Sequence, residues 1–116
     1  YTMASGVIDW STELRSGYVL KESKHLKIWR RRFAVLTEGH LVFFKNDARG
    51  SNPTEILNMF DCFAVHEFHG RCKHPNAVII KTKRRRMLVS FVEPSEMQKW
   101  LSSLGRASVS RDLLID

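Results

Sequence analysis

From Gly17 onward the apolar residues fall into short runs broken by turn-forming residues, the pattern of β-strands. Tyr18 to Lys21 reads as a first strand and Glu22 to Lys27 as a polar loop. Ile28 to Thr37 is a second strand, Glu38-Gly39 a tight turn, and His40 to Lys45 a third strand, a meander of hairpins. Asn46 to Pro53, dense in Asn, Asp, Gly, Ser and Pro, is a loop. Weaker strands are expected at Glu55 to Met59 and Cys62 to Glu67, with a loop from His69 to Asn76. Ala77 to Thr82 and Met87 to Val92 form a last pair around a basic turn, Lys83 to Arg85.

The period then changes. In EPSEMQKWLSSLGRA, Met97, Trp100, Leu101 and Leu104 stand at i, i+3, i+4 and i+7, one stripe of a helix. Pro94 suits the first helical position, Glu93 and Glu96 suit the positive end of the helix dipole, and Gly105 reads as the stop. The fold class is mainly β: short antiparallel strands followed by one C-terminal amphipathic helix.

Charge adds a partner to this picture. The 116 residues fit one domain, and a hydrophobic fraction of 43% supports one modest core. Nineteen Lys and Arg against 12 Asp and Glu give a net charge of +7. That balance argues for an anionic partner, whether a membrane surface, nucleic acid or an acidic protein. The stretch KHLKIWRRRF holds six basic residues in ten. From Arg15 to Arg32 there are seven Lys or Arg and one acid, Glu22. Strand alternation puts Arg30, Arg32, Ala34 and Leu36 on one face, and Trp29, Arg31, Phe33 and Val35 on the other. Val19 and Lys21 likewise share a face of the first strand. In a hairpin, Lys21 and Arg30 or Arg32 converge at one polar rim. Arg offers a forked donor set to phosphate oxygens and Lys a point charge. The competing reading is a basic face held apart by water. A second cluster, KTKRRR at Lys81 to Arg86, is five-sixths basic and reads alone as either a solvated turn or a functional one.

At this point the chain resembles the pleckstrin homology (PH) domain family. The resemblance rests on GYVLK, then WRRRFAVLTEGHLVFFK, then a terminal helix carrying EMQKWLSSL with its single Trp100, and it covers residues 14 to 106. The flanks, 1 to 13 and 107 to 116, are similar to small plant proteins that are little more than one such domain. The resemblance implies a seven-stranded, bent antiparallel barrel or sandwich plugged at one end by the helix. It implies an open end ringed by the loops after strands one, three and six, where phosphoinositide-binding members carry K-x(n)-[K/R]-x-R. Lys21, Arg30 and Arg32 match that signature. Lys24 and Lys27 fall in the first loop, Lys45 leads into the third-strand loop, and Lys83, Arg84 and Arg85 lie at the sixth-strand turn. These nine residues are the expected phosphoinositide site.

Departures from the family pattern bear on specificity. Phe33 stands where many members have Trp, and Ala34 replaces a larger core residue. Phe43 stands where some trisphosphate binders have a Tyr that touches the headgroup, which leaves a monophosphate or bisphosphate more open. The similarity to the plant proteins points to phosphatidylinositol 3-phosphate. Leu26 and Ile28, at the first loop, are placed either to dip into a membrane interface or to pack on neighbouring loops.

The expected function is therefore non-catalytic recruitment to membranes through phosphoinositide lipids, and the alternative is contact with an acidic protein partner. Nucleic acid is disfavoured: the strand order and the Trp100 helix argue against it, and no RNP-type aromatic signature is present. No glycine-rich phosphate loop, HExxH or G-x-S-x-G occurs, so no enzyme and no cofactor is expected. Cys62, His66, His69, Cys72 and His74 are zinc-ligand types, but they lack a C-x2-C pair and span a strand and a loop, so no metal site is assigned. Two cysteines make no disulfide framework. With no membrane-length apolar run and no signal-peptide pattern, a cytoplasmic, peripherally membrane-associated protein is expected. The opening Tyr1-Thr2-Met3 fits an expression remnant or an excised fragment.

Overall fold

The computed structural model describes residues 8–47 and 49–115, the side chains as far as 108. The first seven residues of the expected N-terminal flank therefore lie outside the described residues. Among those described, seven strands form one antiparallel sheet: β1 (Glu13–Glu22), β2 (Trp29–Thr37), β3 (His40–Phe44), β4 (Glu55–Asn58), β5 (Cys62–Glu67), β6 (Ala77–Thr82) and β7 (Arg86–Ser90). Their order across the sheet is β4-β3-β2-β1-β7-β6-β5. One long helix, α1 (Pro94–Ile115), follows.

The sheet folds over itself. Val19, Ala34, Leu36, Leu41, Phe43 and Leu57 from its first half meet Val78, Ile80, Met87 and Val89 from its second in a single buried cluster. Met97, Trp100, Leu104 and Ala107 bring the apolar stripe of α1 into the same core, and Trp100 stacks on Phe91 with ring centroids 5.8 Å apart. The alternation read from sequence is realised: Ala34 and Leu36 point inward, while Phe33 and Val35 point outward. The outward residues are also covered. Ile8 and Trp10 lie over Phe33, Val35, Val42 and Phe44 as a second, smaller cluster. Asp9 holds this segment in place by accepting the Ser11 amide at the start of a 3-10 turn, Trp10–Thr12.

Two elements run longer than local pattern predicts. β1 begins at Glu13 rather than near Gly17, because it pairs with β2 from Glu13 opposite Thr37 to Glu22 opposite Trp29, with one register shift between Glu13 and Arg15. Cross-strand pairing overrides the weak alternation of its first residues. The helix does not stop at Gly105. Ala107, one turn beyond Leu104 on the same stripe, is still buried, so tertiary packing carries the helix through the glycine.

Candidate functional site

β1 and β2 bring the first set of cations together. Lys21 stands opposite Arg30, and Val19 opposite Arg32, so Lys21, Arg30 and Arg32 share the inward face of the hairpin at its loop end. Arg30 is exposed and Arg32 half-buried, its guanidinium donating to the Arg31 carbonyl at 3.0 Å. Arg31 takes the opposite face, where its guanidinium lies 3.6 Å above the Tyr18 ring. The adjoining loop is closed by two bonds: the Ser23 amide donates to the Ile28 carbonyl at 2.7 Å and the Ile28 amide to the Ser23 hydroxyl at 3.0 Å. Lys27 takes a left-handed backbone, φ 54°, to complete the turn. Leu26 and Ile28 remain 70% and 44% exposed, so they are not packed on neighbouring loops.

The β6–β7 turn brings the second set. A single hydroxyl organises it: Thr82 Oγ1 accepts the amides of Arg84 and Arg85 at 3.3 and 3.2 Å and donates to the Arg85 carbonyl. The Lys83 amide donates to the Asp61 carbonyl at 3.1 Å. Lys83 and Arg84 are thereby left exposed, while Arg85 turns back into the fold. Lys24, Arg84 and Arg85 line one cavity of about 390 Å³ with Glu55, Asn58, Asp61 and Thr82. Lys24 of the first segment and Arg84 of the second, 60 residues apart in the chain, thus face the same space.

Glu55 joins them. Its carboxylate lies 2.7 Å from Lys21 Nζ through one oxygen and 3.1 Å from Arg85 through the other. These side chains are only 10% (Lys21), 21% (Glu55) and 10% (Arg85) exposed. Lys21 also lies over the Phe43 ring, 5.4 Å from its centroid. Register explains the arrangement. Glu55 is opposite Phe43 on β4 and shares the inward face with Leu57, so its carboxylate points where a core residue would. The guanidinium of Arg85 is incompletely used: its Nε and one Nη are buried without a hydrogen bond, the Glu55 contact being close enough for charge but not aligned for donation.

The other expected residues are dispersed. Lys45 is exposed at the end of β3. Lys27 lines a separate groove with Glu22, Phe68, Ile79, Arg86 and Leu88 on the outer face of the sheet. The loop after β3 folds against that outer face too: the Asp47 amide donates to the Tyr18 hydroxyl at 3.1 Å, and Arg49 pairs with Glu13. Sequence reasoning passed over Glu55, treating it only as part of a weak strand. The available signal was a lone acid at an inward strand position, two residues before Leu57. Among the described residues no three His, Cys, Asp or Glu side chains come close enough to share a metal ion, and no helix is long and apolar enough to cross a membrane.

Comparison with known proteins agrees with this architecture. The chain is 32% identical over 108 residues to the pleckstrin homology domain-containing protein 1 of Arabidopsis thaliana, covering 90% of this chain and 74% of that one. It is 26% identical to the human pleckstrin homology domain-containing family A member 2, over 81% of this chain but only 23% of that protein. Among solved structures, the Slm1-PH domain in complex with phosphoserine superposes with a TM-score of 0.72 at 26% identity, covering 85% of this chain and 98% of that one. Residues 13–109 match the PH domain family, and the chain belongs to it.

Proposed function

We propose that the chain is a non-catalytic module that binds phosphoinositide headgroups at the rim shared by the β1–β2 hairpin and the β6–β7 turn, and so recruits its protein to membranes. One observation carries this reading: two basic segments distant in sequence come together, Lys24 of the first lining one cavity with Arg84 and Arg85 of the second, and Glu55 contacting both Lys21 and Arg85. Like charges crowd this way at a cost, and a polyanionic headgroup offsets it. Each Lys or Arg near an anionic leaflet contributes about 1 kcal/mol, and a forked Arg contact adds selectivity for the headgroup. Leu26 and Ile28, exposed at the loop tip, supply apolar surface for the interface. The phosphoserine complex of the Slm1-PH domain supports a phosphate ligand for this fold.

Phosphatidylinositol 3-phosphate is the headgroup we favour. Phe43 is fully buried and carries no hydroxyl to offer a further phosphate, and Lys21 is already engaged by Glu55. Co-sedimentation with vesicles tests the site. Arg30→Glu with Arg32→Glu is expected to abolish binding while the domain stays folded. Undiminished binding by the folded double variant would place the site elsewhere.

A further inference from the structure

We infer that Glu55 is a built-in counter-anion that limits how many phosphates the rim accepts; this rests on the phosphoinositide reading above. Two cations of the expected set whose side chains are only 10% exposed, Lys21 and Arg85, come from different basic segments, and one carboxylate neutralises both, an oxygen to each. The cations left for a ligand are the outer ones: Arg30 and Arg84 are exposed and Arg32 half-buried. A phosphate brought to Lys21 would share its cations with an anion already in place, and the two anions would repel. The inner position is nonetheless built of donors suited to phosphate. Arg85 lines the cavity with Lys24 and Arg84; its Nε is buried without a hydrogen bond, and the Nη that faces Glu55 is paired by charge but not aligned for donation. Asp61 is a second acid among the residues that line the same cavity. A headgroup with one phosphate beside its phosphodiester is served by the outer cations. A headgroup with three needs the place that Glu55 holds.

The test compares phosphatidylcholine vesicles carrying phosphatidylinositol 3-phosphate with vesicles carrying phosphatidylinositol 3,4,5-trisphosphate. Glu55→Gln keeps the size of the side chain and removes its charge. It is expected to shift the ratio of the two affinities toward the trisphosphate by about tenfold. Glu38→Gln changes the net charge equally but lies in the exposed turn between β2 and β3, at the other end of the hairpin, and is expected to leave the ratio unchanged. An unchanged ratio in folded Glu55→Gln, or an equal shift in Glu38→Gln, overturns the inference while the phosphoinositide reading stands. If Glu55→Gln does not fold, Glu55→Asp, which draws the carboxylate back by one methylene, is read instead. Its ratio is expected to move in the same direction, and a fixed ratio overturns the inference. If the wild-type chain binds neither vesicle, the phosphoinositide reading falls and this inference with it.

Discussion

Arg30 and Arg32 can be reversed to Glu without touching the core, because the inward face of β2 becomes apolar only at Ala34 and Leu36. The unfolding free energy of that double variant is expected to change by about 1 kcal/mol or less, as for other exposed and half-exposed sites. A larger loss by chemical denaturation would mean that the two arginines also hold the fold together. Lys21 differs from them. It is buried, paired with Glu55 and laid over Phe43, so its removal leaves a partly buried carboxylate with one partner fewer. A second residue-scale prediction concerns His40, whose half-buried imidazole is held below its ordinary value of 6.5 by loss of solvent. The unfolded chain takes up this proton at 6.5, and the folded chain only at lower pH. Stability from His40 is therefore full above pH 6.5 and is lost as pH falls below that value and through the lowered one. His40→Gln is expected to flatten the decline in unfolding free energy between pH 7 and 5. An identical slope in both proteins would show that His40 does not contribute.

At the scale of elements, α1 offers the most direct stability test. Gly105 lies inside the helix, and a Cβ added there meets nothing within 4 Å. Gly105→Ala is expected to stabilise the domain by about 0.5–1 kcal/mol, read as a raised denaturation midpoint at unchanged slope. A loss of stability would mean that the helix is not continuous at this point. The same glycine shows where sequence reading reaches its limit. The stripe Met97, Trp100, Leu101 and Leu104 was legible because helical periodicity is a local property. The continuation through Gly105 was not, because it depends on where Ala107 packs. β2 and β3 were legible for the same local reason: Leu41 and Phe43 alternate with Val42 and Phe44, and both faces are buried by apolar neighbours. The first half of β1 was hidden, since only its partner β2 makes it a strand. The rim was read in part. Alternation placed Lys21 with Arg30 and Arg32, but charge counting treated every cation as free. That Glu55 would reach Lys21 and Arg85 follows from the register of β4 on β3, which the sequence of β4 alone does not display.

For the whole molecule, the net charge of +7 has two consequences that must be told apart. It draws the chain to any anionic surface, and this attraction is screened within roughly 10 Å at 0.1 M salt. It also loads one rim with donors whose spacing is fixed by the sheet. The first effect is blind to the headgroup, and the second is not. The measurement that separates them most directly is co-sedimentation of the chain with vesicles at physiological salt. Each vesicle would be doped with a single phosphoinositide, and one set would carry phosphatidylserine at matched total charge. The predicted result is retained binding to one phosphoinositide, phosphatidylinositol 3-phosphate foremost, with phosphatidylserine binding largely lost. Equal binding to every anionic vesicle, phosphatidylserine included, would contradict specific headgroup recognition and leave only a basic surface.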